Sequence, residues 1–382
     1  MRHEEIVRFI RSLYGEEGFI PLHEPVFMGN EKRYLNECVD STFVSSVGAF
    51  VDRFEKMVAD YTGAKYAVAT VNGTAALHVA LKLAGVDEES EVITQPLTFV
   101  ATCNAISYCG ARPLFVDVDR DTMGLSPVKL QEFLAKEAVV KEEGCFNRQT
   151  GRRIAAVVPM HTFGHPCRIE EIARVCETYR IPLVEDAAES LGSFVGDRHT
   201  GTFGRVAAFS FNGNKTITTG GGGMLITDDE ALARRAKHIT TTAKVPHPYR
   251  YDHDEIGYNY RLPNLNAALG CAQMEKLDEI LADKRRTAEA YARFFEEGGP
   301  GFFRERKGTR ANYWLNALVL ENGEERDRFL EETNRSGVMT RPVWTLMNRL
   351  PMFAEAPRGD LSEAEWLEER VVNIPSGYRG KR

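Results

Sequence analysis

The sequence lacks the features that would place this 382-residue chain in several common classes of protein. Its seven cysteines are odd in number and none is spaced as a CxxC pair, so neither a disulfide framework nor a zinc site is indicated. No apolar run approaches the roughly 20 residues needed to span a bilayer. Acidic residues outnumber basic ones by 55 to 48, and no dense basic stripe is present to wrap nucleic acid. These absences predict a cytoplasmic protein that uses no bound metal and binds neither nucleic acid nor membrane.

Short apolar runs alternate with helical patterns over the first two thirds of the chain. The predicted strands are the runs "KYAVATV" (65–71), "EVITQ" (91–95), "RPLFVDVD" (112–119), "RIAAVVPM" (153–160) and "IPLVEDAA" (181–188). Helical patterns lie between them, including residues 98–109 and 169–179. Strands that alternate with helices predict an α/β fold with a mostly parallel sheet covered on both faces. The polar segment 136–153 is interpreted as a surface insertion.

The pattern changes after Leu262, where a long helix is followed by the strand "NYWLNALVL" (312–320) and the helix "EERDRFLEETNRSG" (324–337). This order is typical of a smaller α+β domain. We therefore predict an N-terminal segment at 1–25, a large α/β domain at 26–262 and a small C-terminal domain at 263–382.

Ligands in open α/β sheets collect beyond the carboxyl ends of the strands, so the residues directly after each strand are of most interest. After the first strand, "NGTAAL" places Gly73 and Thr74 at a helix N-terminus, where free N–H groups favour a phosphate. Ordinary helix capping by Asn72 is the alternative. After the second strand, Phe99 lies at a junction between loop and helix, and a core aromatic is the alternative there.

Two ionisable residues follow later strands. Asp186 ends a run too apolar for a solvated strand, so its carboxylate needs a partner or strong hydrogen bonds; capping of a helix is the alternative. Lys215 follows "VAAFSF" and precedes four glycines, and the segment between Arg205 and Asp228 contains no other acidic or basic side chain. We expect this lysine to lie away from water and counter-ions, which favours the neutral amine that a Schiff-base nucleophile requires.

One cofactor accounts for all of these positions. Pyridoxal phosphate has an aldehyde that reacts with a lysine, a pyridine nitrogen that needs a carboxylate, a phosphate that suits a helix N-terminus and a flat ring that an aromatic side chain can cover. The motifs "NGTAAL", "TFVAT", "VEDAAESLG", "SFNGNKTITTGGGGM" and "GYNYRLPNLNAALG" resemble, in order and spacing, those of the DegT/DnrJ-type sugar aminotransferases. That family has fold type I of the pyridoxal-phosphate enzymes, and the likeness runs from about Pro21 to the end of the chain.

The resemblance implies a role for each matching residue. Lys215 matches the Schiff-base lysine and Asp186 the carboxylate that keeps the pyridine nitrogen protonated. The phosphate and ring contacts are implied for four small residues and one aromatic: Gly73, Thr74, Ala75, Ser210 and Phe99.

Three further positions are informative within the family. Glu189 stands where many members carry Gln or His near the ring hydroxyl, and an acid there can accept a hydrogen bond from that hydroxyl. Gly221 stands where many members of the family carry Glu. Asn259 matches a residue that reaches the cofactor phosphate of a neighbouring subunit, which implies a homodimer with shared active sites; a turn-forming asparagine is the alternative.

The resemblance also implies a reaction. The pattern around Gly221 is similar to that of the subgroup that makes 4-amino-4,6-dideoxy sugars for bacillosamine or legionaminic acid. The implied substrate is a UDP- or GDP-linked 4-keto-6-deoxy sugar, of the N-acetylhexosamine type, with glutamate as the amino donor.

Other interpretations remain open from the sequence. A keto-sugar dehydratase of the same fold is one, although relatives of that kind replace the lysine by histidine. A nucleotide-binding oxidoreductase is another, although no GxGxxG follows the first strand. His161 and His165 follow a strand and are candidates to face the substrate. Arg341 and Trp344 are candidates to line a substrate site or, alternatively, to lie at the surface and in the core.

Overall fold

A computed structural model describes residues 1–15 and 17–380 of the chain. Residue 16 of the predicted N-terminal segment and residues 381–382 of the predicted C-terminal domain lie outside the described residues.

Within the described residues the chain forms twelve α-helices and sixteen strands. The helices are α1 His3–Tyr14, α2 Glu31–Ser41, α3 Ala49–Thr62, α4 Gly73–Leu83, α5 Val100–Tyr108, α6 Pro127–Glu137, α7 Ile169–Tyr179, α8 Glu230–Thr240, α9 Asn264–Met274, α10 Leu277–Glu296, α11 Gly323–Arg335 and α12 Ser362–Glu368. The strands are β1 Tyr66–Thr70, β2 Ser90–Thr94, β3 Arg112–Phe115, β4 Ala138–Lys141, β5 Gly144–Asn147, β6 Arg153–Val158, β7 Val184–Asp186, β8 Phe194–Val195, β9 Arg198–His199, β10 Val206–Ser210, β11 Gly223–Thr227, β12 Gly301–Phe302, β13 Thr309–Arg310, β14 Asn316–Val319, β15 Arg341–Pro342 and β16 Val371–Ile374.

The main sheet has the strand order β1-β11-β10-β7-β6-β2-β3. Strand β7 joins β6 through the parallel bridges Val157↔Leu183 and Met160↔Asp186. All neighbouring pairs are parallel except those of β11, which runs antiparallel to both β1 and β10. The predicted mostly parallel sheet is therefore confirmed, and its parallel strands end along one edge.

Both faces of this sheet are covered by helices because successive residues of its strands alternate between two apolar clusters. In β1, for example, Val68 packs with α4, α5 and α8, whereas Ala69 packs with α2, α3 and α9. In β2, Val92 lies in the same cluster as Val68, whereas Ile93 faces the other side of the sheet and packs against α6 and α7.

Two details differ from the sequence prediction. The helix expected from residue 98 begins at Val100, because Phe99 has the extended backbone of an N-cap residue, with φ −69° and ψ 145°. The predicted insertion at 136–153 contains the antiparallel hairpin β4–β5, which joins β6 at the pair Phe146↔Arg153. Cys145 and Asn147 of this hairpin are buried, so the segment is more than a solvated loop.

A second, antiparallel sheet in the C-terminal part has the order β12-β14-β16-β15. Its apolar face packs with α1, α10 and α11; Ile6 and Ile10 of α1 lie in the same cluster as Phe329 of α11. Helix α9 instead packs on α2 and α3 beside the main sheet. The division of the chain after residue 262 stays a prediction. Across the described residues, no helix combines the length and the apolar character needed to cross a membrane.

Candidate active site

A cavity of about 340 Å³ opens at the edge of the main sheet where the parallel strands end. Asp186 terminates β7 and Ser210 terminates β10, and α4 begins directly after β1. Seven of the nine predicted site residues line this cavity, namely Gly73, Thr74, Phe99, Asp186, Glu189, Ser210 and Lys215. The topology therefore gathers residues that are up to 142 positions apart in the chain, from 73 to 215, into one site.

The start of α4 forms one end of the cavity. The side chain of Asn72 accepts a hydrogen bond from the Ala75 amide at 2.7 Å, so the helix is capped in the ordinary way. The amides of Gly73 and Thr74 have no hydrogen-bond partner among the described residues and belong to the cavity lining. A Cβ atom at position 73 would lie 2.7 Å from the Ser210 Cβ, so only glycine fits this close approach. The N-terminus of α4 therefore has both an ordinary helix cap and two free amides that can bind an anion.

The structure does not bring Ala75 to the cavity. Its side chain is buried, its amide is already bound to Asn72, and it is absent from the lining. A contact between Ala75 and a phosphate stays a prediction.

Asp186 is a buried carboxylate with two hydrogen-bond donors. Thr102 donates its hydroxyl to Oδ2 at 2.7 Å, and the Ala188 amide donates to Oδ1 at 3.2 Å. Burial raises the pKa of Asp186, and these two bonds oppose that shift. Sequence reasoning missed Thr102, whose position on α5 comes together with β7 only in the folded chain.

Lys215 has a counter-ion, contrary to the expectation from its sequence neighbours. Its Nζ lies 3.2 Å from Oε1 of Glu189 and 3.9 Å from the centre of the Trp314 ring. The expectation of an amine remote from counter-ions is wrong because Glu189 and Lys215, although 26 residues apart in the chain, meet at the same edge of the sheet.

Glu189 is almost fully buried, with an exposed side-chain fraction of 1%. Burial raises its pKa to about 7, although the nearby Lys215 ammonium and the Phe163 amide lower it. The Phe163 amide donates to Oε2 at 2.9 Å. Phe163 adopts a positive φ of 56°, which is uncommon for an aromatic residue and directs this amide toward the carboxylate.

Aromatic side chains form one wall of the cavity. Phe99 is 48% exposed, so the alternative of a core aromatic is wrong. Its ring centre lies 6.2 Å from that of Trp344, and Trp344 lies 5.0 Å from Phe163. Trp344 and Trp314 also line the cavity. The sequence offered Trp344 as a candidate but gave no signal for Trp314.

The two histidines after β6 do not line this cavity, so the interpretation that they face a substrate there is wrong. His161 is fully buried and pairs with Glu185 at 3.0 Å, and its other ring nitrogen lies 3.6 Å from the sulfur of Cys167. His165 is buried edge-on against the rings of Phe303 and Tyr313. Both histidines therefore lie in the interior and outside the cavity lining, and the two ring nitrogens of His165 have no hydrogen-bond partner among the described residues.

Arg341 and Asn259 lie outside the cavity lining. Arg341 donates to the Asn334 side chain and to the Thr340 carbonyl, both within seven residues of it in the chain. Asn259 is exposed and accepts hydrogen bonds from the guanidinium of Arg261. Within this chain, neither residue lines the cavity.

The groups that line the cavity fit pyridoxal phosphate. An amine, a buried carboxylate with two donors, a pair of free amides at a helix N-terminus and a half-exposed aromatic ring match the four parts of that cofactor. The space that the missing Cβ of Gly73 leaves beside Ser210 adds to this fit.

Comparisons with known proteins agree with this geometry. The profile of the DegT/DnrJ/EryC1/StrS aminotransferase family matches residues 27–379. GDP-perosamine synthase of Escherichia coli O157:H7 is 36% identical over 358 residues, covering 94% of this chain and 93% of its own length. The EpsN protein of Bacillus subtilis, named a putative pyridoxal phosphate-dependent aminotransferase, is 37% identical over 363 residues, covering 94% and 91%. The solved structure of DesI with its TDP-sugar product is 26% identical with a TM-score of 0.82, covering 97% and 91%.

Proposed function

The chain belongs to the DegT/DnrJ/EryC1/StrS aminotransferase family and is a pyridoxal-phosphate-dependent sugar aminotransferase, and from this premise we propose that it aminates C4 of a nucleotide-linked 4-keto-6-deoxy sugar. The family and the fold-type I architecture expected from the motifs are both confirmed. We further propose glutamate as the amino donor, a UDP- or GDP-linked N-acetylhexosamine derivative as the acceptor, and a 4-amino-4,6-dideoxy sugar for surface glycans as the product.

The observation that carries this proposal is the convergence of Lys215, Asp186 and the N-terminus of α4 on one cavity. When bound, pyridoxal phosphate supplies an electron sink that acidifies the Cα–H of an amino donor. In our proposal the Gly73 and Thr74 amides and the Ser210 hydroxyl hold its phosphate. Asp186 holds the proton on its ring nitrogen, and Phe99 covers one face of the ring.

Lys215 is proposed to move the proton. An amine near the reacting carbon can take a proton from one atom of the reactant and give it to another, which is general acid–base catalysis. Glu189 and the face of Trp314 lie beside the ammonium that Lys215 becomes after accepting the proton. Both favour a positive charge at that position.

The lining of the cavity supports a sugar acceptor. Trp344 and Phe99 offer flat apolar faces, and Asn212 and Asn214 offer amides that can bind hydroxyl groups. Among the described lining residues there is no arginine, the usual bidentate partner of a carboxylate. A nucleotide sugar bears no carboxylate at its reacting end, so the lining suits it better than a free keto acid. Glutamate as donor rests on family membership.

The relatives support the nucleotide-linked substrate. One of them is named for a GDP-linked product, and DesI was solved with a TDP-linked sugar product. A dehydratase is the second candidate, and the presence of Lys215 argues against it.

We also propose a homodimer with shared active sites. Asn259 lies outside the cavity of its own protomer, and exposed apolar side chains stand near it on the 241–261 segment, among them Tyr249, Tyr251 and Ile256. Val47, also exposed, lines a surface cleft together with Lys244 and residues 246–248, so the two segments form one face. A large exposed apolar face is typical of a protein interface. In the dimer, Asn259 of each protomer reaches the phosphate end of the other site.

The test is a substrate panel. The purified enzyme, loaded with cofactor, is incubated with glutamate and UDP- or GDP-linked 4-keto-6-deoxy sugars, and 2-oxoglutarate release and product mass are followed. We expect release of one 2-oxoglutarate for each amino sugar formed, and none from Lys215→Ala. Turnover of free keto acids alone contradicts the proposal, and loss of water from the sugar without amine transfer supports the dehydratase.

A further inference from the structure

A buried lysine that has no assigned role lies behind the candidate active site. Lys284 of α10 is 1% exposed, and its Nζ donates to the carbonyls of Ser376, Trp314 and Tyr313 at 2.7, 3.1 and 3.4 Å. Burial lowers the pKa of Lys284 to about 7. In the part of the chain that the structure describes, it forms no ion pair with a carboxylate, since the adjacent Asp283 binds Arg286 and the Arg379 amide. An apolar side chain would fill this space without the desolvation penalty. The presence of a lysine with three hydrogen bonds therefore indicates a role other than filling space.

The backbone that Lys284 holds is in an unfavourable conformation. Tyr313 has φ 49°, the left-handed region that a bulky residue rarely adopts. Two other contacts hold the same turn: the Trp314 amide donates to the Asn312 side chain at 2.7 Å, and Asn312 Nδ2 donates to the Glu189 carbonyl at 2.8 Å. The turn at residues 312–314 is therefore fixed from several sides, as strained backbone near functional sites is.

This turn presents the Trp314 ring to Lys215. The Trp314 indole N–H donates to the Asn214 carbonyl at 2.6 Å, and the ring centre lies 3.9 Å from Lys215 Nζ. Trp314 is only 4% exposed although it lines the cavity. Lys284 thus contacts the backbone of Trp314, and the ring of Trp314 contacts the amine of Lys215.

We propose that Lys284 is a positioning residue for the amine of Lys215, acting through the strained turn at residues 312–314 and the ring of Trp314. Its hydrogen bonds to the Tyr313 and Trp314 carbonyls keep Tyr313 in the left-handed conformation, and its bond to the Ser376 carbonyl fixes the ammonium in place. Without them the turn relaxes and the Trp314 ring moves off the amine, which weakens the cation–π contact that requires a distance within about 6 Å. The inference rests on the proposed function only in taking Lys215 as the reactive amine.

A double-mutant cycle on turnover tests this connection. Lys284→Met keeps an unbranched side chain one atom shorter and removes its donors, and Trp314→Leu removes the ring. We expect each to lower kcat about 10-fold with little change in KM, because small misplacements of a reacting group cost rate rather than substrate binding. If Lys284 acts through Trp314, the double variant is no slower than Trp314→Leu alone. Additive losses overturn the proposal.

Thr287→Val is the matched control on the same helix. Thr287 is buried in α10 and its hydroxyl donates to the Asp283 carbonyl within the helix; among the described residues it makes no hydrogen bond to residues 312–314. The control is expected to lower stability while leaving kcat unchanged, and its effects should add to those of Trp314→Leu. A similar fall in kcat for Thr287→Val overturns the proposal, because it marks general damage to α10.

A measurement on the cofactor-free protein separates this inference from the proposed substrate. Replacing Trp344 and Trp366 by Phe leaves Trp314 as the remaining tryptophan of the three. In that background we expect Lys284→Met to raise the acrylamide quenching constant of Trp314 at least about 3-fold, since a ring held in place is shielded from the quencher. Thr287→Val should leave it unchanged. Unchanged quenching in Lys284→Met overturns the proposal even if every nucleotide sugar fails as a substrate.

Lys284→Gln covers the case in which Lys284→Met does not fold. Its amide retains two donors on a shorter side chain. The quenching constant of Trp314 should therefore rise above that of the same background with Lys284 intact, and kcat should fall between that of the wild type and that of Trp314→Leu. Wild-type values for both in Lys284→Gln contradict the proposal, because an amide cannot replace all three hydrogen bonds.

Discussion

The carboxylate of Glu189 lies 3.2 Å from the amine of Lys215 at the floor of the cavity. The two side chains are 1% and 13% exposed, so water screens this pair much less than a surface ion pair. The pKa of Glu189 is nevertheless raised to about 7, because loss of hydration outweighs the attraction of Lys215. Near neutral pH, both the protonated and the ionised form of Glu189 are therefore present beside the residue that is proposed to move a proton.

Glu189→Gln should change how stability depends on pH. In the wild type the carboxyl binds its proton more tightly when folded, so the stabilisation is fully present below the unfolded pKa of roughly 4.3 and is lost as pH rises through about 7. The free energy of unfolding of the wild type should fall relative to the variant by on the order of 3 kcal/mol between pH 4 and pH 8. Urea denaturation of the cofactor-free proteins measures this difference.

The control for this experiment is Glu331→Gln, which removes one negative charge at an exposed position of α11. A difference between wild type and Glu189→Gln that stays constant across the pH range would show that the carboxyl does not titrate in this window.

Asp186→Asn should slow the chemistry more than it weakens cofactor binding. The amide keeps the shape and can still bind Thr102, but it removes the negative charge that favours a protonated ring nitrogen. We expect the single-turnover half-reaction with glutamate to slow by about 100- to 1000-fold, the usual effect of removing one preorganised electrostatic contact. Stopped-flow absorbance gives the rate, and equilibrium titration gives the affinity. A half-reaction at the native rate would leave Asp186 with a structural role only.

Gly73→Ala should weaken binding of pyridoxal phosphate. The new Cβ would lie 2.7 Å from the Ser210 Cβ, so the start of α4 or the end of β10 has to shift. Overpacking of this kind costs about 1–3 kcal/mol, and the shift that relieves it displaces the Gly73 and Thr74 amides. If binding has to reverse that shift, the affinity falls by about 5- to 150-fold. Absorbance titration of the cofactor-free protein measures it.

Gly213→Ala is the matched substitution for comparison. Gly213 lies two residues before Lys215, has no atom within 4 Å of an added Cβ and does not occupy the left-handed region. Its affinity for the cofactor should remain within about 2-fold of the wild type. Equal losses at positions 73 and 213 would mean that the contact with Ser210 is not the cause.

The sequence predicted the residues of the site that end strands or begin a helix, because apolar runs locate those points without knowledge of the fold. Asp186 and Gly73 were found in this way. Thr102 and Trp314 were missed, because each is an unremarkable residue type in its own segment and gains its role from a contact with a distant one. The counter-ion of Lys215 was missed for the same reason, since a window around position 215 does not include Glu189.

For the fold, alternating strands and helices predicted the layered sheet correctly. The antiparallel direction of β11 was not predicted, since the periodicity of a buried strand is the same in either direction. The hairpin β4–β5 was not predicted, because the charged residues of its turn, Glu142 and Glu143, made the segment resemble a solvated loop.

The last prediction concerns the sharing of active sites between protomers. If Asn259 of one protomer completes the site of the other, then Lys215→Ala and Asn259→Asp each inactivate a homodimer in a different way. In a heterodimer of the two variants, one of the two sites contains both Lys215 and Asn259. Mixing and refolding the variants should therefore restore activity, up to about one quarter of the wild-type value for random pairing, because half of the dimers are mixed and each mixed dimer has one complete site.

Tagging one variant and purifying the mixed dimer verifies that subunits have exchanged. Wild-type chains carried through the same procedure give the maximum recovery. An inactive mixed dimer, despite proven exchange and full recovery of the wild type, would place Asn259 outside the partner's site and leave the exposed Asn259–Arg261 hydrogen bonds with a local structural role.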